Sequence, residues 1–436
     1  MSKEVLLFEA PVSNRSGYGD HSRDLVRSLI KMDRFDIKIV DRPWGSCPRN
    51  ALDHKDHDII SRFLNEQLAQ QPDVFIQVSV PNEFRPVGKL NIGVTAGMET
   101  TIVHQEWIQG CNRMDRIIVP SNHSQKVLLT SQYDQLDQQT NQRVGLLKVE
   151  KPIDVLFEGL DTNIFKKISP KEIPQLLNEE LSNIKEDFCY LFVGHWLQGA
   201  LGQDRKDIGG LIKTFIEAFK DTNSKPALIL KTSQATFSVI DREQILTKIK
   251  TIKSEYSHQD QLPNIYLIHG DLTQEEMNGL YNHPKVKVHV SFTKGEGYGR
   301  PLLEASVSAK PVIASNWSGH IDFLSLNSPL LPGGLTQVHP SAAWDKVILK
   351  EAQWYTVDYG YAKKLLKDTH KNYKKYLVNA KKQAYFSRTN FNMKDMDIKF
   401  KQIISDNIPK SVELKLPKLE GKNGLPKLKL PKLKKV

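Results

Sequence analysis

Short apolar or β-branched runs alternate with helical patterns along this chain, and they do so in two consecutive series. In the first series strands are expected at residues 5–8, 35–40, 74–80, 90–95 and 116–119. Helical spacing returns between them, as in residues 20–30, where Leu25, Leu29 and Ile30 share one face. Strand, crossover helix, strand is the pattern of a parallel sheet wrapped by helices. The second series places strands at 190–193, 227–230, 265–268, 286–290 and 311–314, with helices at 208–219 and 240–252. A polar, weakly periodic stretch between about 165 and 186 separates the two. The expected fold is therefore α/β: two Rossmann-like, doubly wound domains, 1–170 and 186–390, facing each other across a cleft. Helical spacing recurs at 361–386, and a last helix is expected at 394–404, inside a C-terminal segment 391–408. In such sheets the ligand site lies at the carboxyl ends of the strands, so the cleft between the domains is where chemistry is expected.

The 436 residues exceed what one ordinary core organises, which agrees with two domains. The formal charge of +11 suggests a polyanionic partner until its placement is considered. From Lys410 onward nine lysines face two glutamates, so about +7 of the total sits in a tail, and the body is only mildly basic. That tail, 409–436, repeats Leu-Pro-Lys-Leu at Leu416, Leu425 and Leu430. Proline at this spacing forbids a continuous helix, and an extended or disordered segment is expected. Three cysteines, Cys47, Cys111 and Cys189, have no paired spacing, so neither a disulfide framework nor a zinc site is indicated. No stretch approaches the roughly 18 apolar residues of a membrane span and no export signal is recognisable, so a cytoplasmic location is expected.

The densest chemical signal follows the strand at 286–290. It reads Gly295-Glu296-Gly297-Tyr298-Gly299-Arg300-Pro301-Leu302-Leu303-Glu304-Ala305. Pro301 suits the first turn of a helix, and Leu302 to Ala309 are mostly good helix formers. Strand, glycine-rich turn, helix start is a context in which backbone N–H groups meet a diphosphate. Glu296 and Glu304 bracket the turn, and carboxylates accept paired hydrogen bonds from the hydroxyls of a sugar or a ribose. A second, weaker glycine loop, Gly17-Tyr18-Gly19, follows the first strand and leads to a helix.

The segment from Glu296 to Glu304 resembles the Glu-x7-Glu motif of the retaining glycosyltransferases of the GT-B fold, most closely the GT4-like group. The likeness extends to Phe157-Glu158-Gly159-Leu160-Asp161, to Arg205-Lys206-Asp207 with its following helix, and to Trp354-Tyr355-Thr356-Val357-Asp358, and it covers roughly residues 5–405. It implies metal-independent transfer of a sugar, with retention of configuration, from a nucleotide-sugar donor to a glycan, lipid-linked or other acceptor. No cofactor beyond that co-substrate is implied. Carried over residue by residue, Glu296 faces the donor sugar, Glu304 the ribose and Lys206 the phosphates. The glycines 17, 19, 297 and 299 with Tyr298 line the donor. Many relatives place an arginine directly after the glycine of the first C-domain strand, where this chain has Gly194-His195-Trp196. Either Arg205 or Arg300 supplies the second positive charge, or phosphate binding is weaker. Glu99, in Gly97-Met98-Glu99-Thr100-Thr101 after a strand end, is the expected acceptor- or sugar-facing carboxylate, with His104 close behind as a ligand or a plain helix-surface residue.

Other classes stay open on sequence alone. Two carboxylates also suffice for glycoside hydrolysis, although that leaves Lys206 unexplained. The basic tail suits a transferase acting on DNA, a non-catalytic nucleic-acid-binding or scaffold protein, or peripheral contact with an anionic membrane at its inner surface, where each basic residue contributes about 1 kcal/mol.

Overall fold

The architecture comes from a computed structural model that describes residues 3–407 apart from 138, 141, 235, 325 and 326. The tail at 409–436 lies outside the described residues.

The N-terminal sheet is built from β1 (Glu4–Ala10), β2 (Phe35–Asp41), β3 (Val74–Val78), β4 (Leu90–Val94) and β5 (Arg116–Val119). A side hairpin, β6 (Tyr133–Leu136) and β7 (Arg143–Leu147), precedes its last strand, β8 (Ile153–Val155). The strand order is β2-β1-β3-β4-β5-β8, all parallel. The second sheet comprises β9 (Cys189–Val193), β10 (Ala227–Lys231), β11 (Ile265–Ile268), β12 (Val286–Ser291), β13 (Val312–Ser315) and β14 (Leu330–Leu331). Its order, β11-β10-β9-β12-β13-β14, is again parallel throughout. An antiparallel pair follows, β15 (Gly333–Gln337) with β16 (Gln353–Val357); of the segment that carried the late family likeness, Trp354 to Val357 lie in β16 and Asp358 caps the next helix.

Each sheet buries near-continuous apolar strands between helices, as parallel sheets do. Helix Ile208–Phe219 shows why: Leu211, Ile212, Phe215, Ile216 and Phe219 are all buried against Tyr190, Phe192, Leu228 and Leu230 of the sheet. One stretch behaves differently from its sequence pattern: the polar stretch before residue 186 contains a helix, Gln175–Ser182, whose Leu177 and Leu181 pack with Leu280 in the second core. The lysine-rich segment with helical spacing at 361–386 forms two helices, Tyr359–Lys371 and Tyr373–Asn390. The final helix, Met393–Asn407, crosses back to the first domain, where Met396, Phe400 and Ile404 join the core beside Leu25 and Leu29. Among the described residues, no helix is long and apolar enough to cross a membrane.

Candidate donor site in the cleft

The carboxyl ends of both sheets face one another, and the two lobes meet there through backbone. After β12 the chain passes through Gly295–Gly299 into a helix, Arg300–Ser306. A side chain on Gly297 would run into the carbonyl oxygen of Ala96 in the opposite lobe, so only glycine permits this approach. The Gly297 carbonyl in turn accepts a hydrogen bond from Ser121 Oγ at 2.6 Å. Gly299 stands at φ 98° as the residue that caps the helix, in the left-handed region that L side chains rarely adopt. With seven residues that helix has less than two turns of aligned peptide dipoles, so the positive charge of the site comes mainly from side chains.

Those side chains are Arg205 and Lys206, on the loop that leads into helix Ile208–Phe219. Lys206 Nζ donates to Glu296 Oε1, and Arg205 Nη1 lies 3.2 Å from Glu296 Oε2 and 3.8 Å from Glu99 Oε1 across the cleft. Arg205 also donates to the Gly295 carbonyl at 3.0 Å. Burial by itself would raise the Glu296 carboxyl, but Lys206 and Arg205 outweigh it and hold the group at about 2, so Glu296 is ionised at neutral pH. Glu99 moves the opposite way: burial raises it and the neighbouring Glu296 adds to the effect, against the pull of Arg205. The arrangement is a pair of cations and a pair of carboxylates in a nearly closed space, with Lys206 8% and Glu296 6% exposed. His195 and His289 beside it are pushed by burial, and then by Lys206, to about 4 and about 3, so both are neutral.

The second motif glutamate belongs to a different cluster. Glu304 Oε1 is 3.3 Å from Arg300 Nε, and its other oxygen accepts from Tyr281 Oη at 3.1 Å. Arg300 Nη1 reaches over the lobe boundary to Asp24 Oδ2 at 2.6 Å. Arg300 is thus committed to carboxylates, and of the two arginines considered from sequence it is Arg205 that stands beside Lys206. Glu158 faces the same group. Burial pushes its carboxyl up to about 8, and that of Glu304 up to about 7. Groups raised above their ordinary value of 4.5 favour the folded chain fully below that pH, and the contribution is lost as pH rises through about 7 to 8. Buried neutral histidines such as His195 and His289 act in the opposite sense, so the carboxyl effect is read as a difference: we expect wild type to lose stability relative to a Glu158→Gln variant as pH rises from 5 to 8, and melting curves that stay parallel over that range would contradict this.

The glycines at 17 and 19 are not in a loop ahead of a helix. They form the first turn of helix Gly17–Met32, capped by Ser16, whose side chain accepts from the Gly19 N–H. Ser16 favours the cap because its hydroxyl satisfies an amide that the helix leaves free. The contact with the cleft comes from Tyr18: its hydroxyl accepts from the N–H groups of Ala96 (2.9 Å) and Gly97 (3.0 Å), and its ring stacks on Trp44. Tyr18 therefore fixes the loop that carries Glu99. Tyr298 is buried beside Phe323, in the neighbourhood of Glu158 and Arg300 and not of Lys206. His104 caps helix Gln105–Arg113, accepting from the Glu106 N–H.

Two α/β domains with parallel sheets, joined at their carboxyl ends around this ionic cluster, define the GT-B fold. The chain is similar to sucrose-phosphate synthase from Thermosynechococcus elongatus, at 12% identity over 93% of this chain and 99% of that one, with a TM-score of 0.61. It is similar also to a glycosyltransferase from Rickettsia africae ESF-5 (14% identity, 94% and 100% covered, TM-score 0.58) and to HepE from Anabaena in complex with UDP-glucose (13%, 92% and 99%, 0.55). No protein-family model matches the chain, and no curated protein does.

Proposed function

We propose that this protein is a glycosyltransferase that takes a sugar from a nucleoside-diphosphate donor and attaches it to an acceptor hydroxyl. The observation that carries the proposal is the convergence of Arg205 and Lys206 on Glu296 at the joint between the lobes. Two buried cations with one fixed carboxylate suit a leaving group that gains negative charge as its bond to the sugar breaks. In that step the electron pair of the sugar–phosphate bond goes to the phosphate oxygen beside Lys206 and Arg205, while the acceptor oxygen bonds to the anomeric carbon and its proton passes to the departing phosphate. Glu296 holds hydroxyls of the donor sugar, and Glu99, from the other lobe, faces the sugar or the acceptor. The bound UDP-glucose of the HepE structure supports a nucleotide sugar as the donor class.

Membership of the GT4-like group, retention of configuration and transfer without a metal belong to the same proposal, supported by the Glu296 to Glu304 spacing and by the charge that Arg205 and Lys206 already supply. The acceptor is a glycan, a lipid-linked sugar or another hydroxyl compound. Because the lobes touch at Gly297 and Ala96, the donor enters as they part and is enclosed as they return, which excludes water from the reacting centre.

Thermal unfolding with UDP, GDP, ADP and their sugars at 1 mM tests the donor class. A nucleotide present at 100 times its dissociation constant stabilises the chain by about 2.7 kcal/mol. One nucleotide is expected to stand out, and its sugar conjugate to be consumed when a matching acceptor is present. No stabilisation by any member of the set would overturn the proposal.

A further inference from the structure

Behind the basic loop lies a third ionic cluster, whose side chains pair with each other and not with Arg205, Lys206 or Glu296. Lys294 and Asp207 have side chains 2% and 0% exposed, with Lys294 Nζ 3.4 Å from Asp207 Oδ2. The same Asp207 oxygen accepts from Tyr359 Oη at 2.6 Å. Lys294 Nζ also meets Thr356 Oγ1 at 3.1 Å and lies 6.0 Å from the centroid of the Trp354 ring. Its backbone is engaged as well: the N–H donates to the Arg205 carbonyl at 2.8 Å, and the carbonyl accepts from the Tyr355 N–H at 2.9 Å. One residue therefore ties together the basic loop, the glycine-rich loop that begins at the next position, and strand β16.

Asp207 directly follows Lys206 and stands at φ 51°, ψ 43°, a left-handed conformation in which a side chain other than glycine is uncommon. Such a conformation persists where the surroundings hold it, and here the holding groups are Lys294 and Tyr359. A buried ion pair is weak grounds for stability, since an apolar pair of similar volume often serves as well. Its specific consequence is a single conformation for residues 205–207, and hence a single direction in which the two cleft cations leave the backbone. We propose that Lys294, Asp207 and Tyr359 form a positioning unit that keeps Arg205 and Lys206 aimed at the donor's diphosphate. The proposal rests on the donor reading given above.

Removing Lys294 alone strands the Asp207 charge, so the informative variant is the neutral pair Lys294→Met with Asp207→Asn, accompanied by Tyr359→Phe, which removes one hydrogen bond only. The measurements are the UDP dissociation constant by calorimetry, KM and kcat with UDP-glucose, and the melting temperature. The neutral pair is expected to melt close to wild type yet to bind UDP at least tenfold more weakly, with KM rising more than kcat falls; Tyr359→Phe is expected to weaken UDP binding about threefold. Wild-type UDP affinity in the neutral pair overturns the proposal. If the neutral pair fails to fold, Tyr359→Phe decides, and wild-type affinity there overturns it equally. A wild-type protein that binds none of UDP, GDP or ADP defeats the donor reading itself, and the positioning role with it.

Discussion

Glu296→Gln is expected to lower sugar transfer about a thousandfold while the fold survives, an effect of the size seen when one preorganised polar group is removed from a transition-state site. The isosteric amide keeps the volume but leaves Lys206 and Arg205 facing no charge except the more distant Glu99. Uncompensated buried charge destabilises by about 3–5 kcal/mol, so the melting temperature should fall as well. Adding a nucleoside diphosphate should recover much of that loss, because its phosphates replace the missing anion. Initial rates of nucleoside-diphosphate release, measured beside melting curves with and without the nucleotide, separate the two effects. Turnover within threefold of wild type would remove Glu296 from the chemistry.

The second large effect concerns lobe closure. A methyl group on residue 297 has no room while Ala96 keeps its place, because the obstacle is a backbone carbonyl and not a side chain that can turn aside. Gly297→Ala should therefore hold the lobes apart, with the loss of the Ser121 hydrogen bond to the 297 carbonyl and strain on the Asp24–Arg300 bridge. Each lobe keeps its own core, so melting should change little. Transfer should drop at least a hundredfold, since misplacement by about 1 Å alone has that consequence. Small-angle scattering should report a larger radius of gyration for the variant; an unchanged radius together with unchanged turnover would show that this contact does not govern closure.

How far the sequence foretold this molecule varied with the range of the interactions involved. The strands at 116–119 and 189–193 were legible because burial on both faces writes itself as a short continuous apolar run, and the edge strand at 35–41 because its buried Phe35, Ile37 and Ile39 alternate with polar residues. Helix Ile208–Phe219 was legible because its apolar positions repeat at helical spacing. Helix Gln175–Ser182 was not, since only Leu177 and Leu181 are buried and the rest of it, Leu176 included, faces solvent. The side hairpin β6–β7 was missed for a related reason: Leu136, Val144 and Leu146 are exposed, so burial left no alternating pattern to read.

The candidate site divides in the same way. Glu296, Arg205 and Lys206 could be marked from local motifs, and the structure brings them together although about 90 residues separate them. The partition of Glu296 and Glu304 between two ionic clusters could not be foreseen, because Asp24 is 276 residues from Arg300 and nothing in its neighbourhood signals the pairing. Helical spacing puts Asp20 and Asp24 on one face, which is the only local hint of an acidic surface there. Lys294 gave no signal, and Asp207 entered only as the last residue of the Arg205-Lys206-Asp207 likeness, with nothing in the sequence to join it to a lysine 87 positions away. Gly17 and Gly19 looked like a phosphate loop, yet the Ser16 cap extends the helix through them and leaves Tyr18 as the residue that acts on the cleft.

The direct test of the account is hydrogen exchange with and without the nucleoside diphosphate that stabilises the chain best. If Arg205 and Lys206 receive the donor's phosphates, amides of residues 204–208 and of 295–300 should slow together on binding, with 96–99 following as the lobes close. Protection confined to other parts of the chain, or a bound nucleotide that leaves both loops exchanging at their free rates, would contradict it.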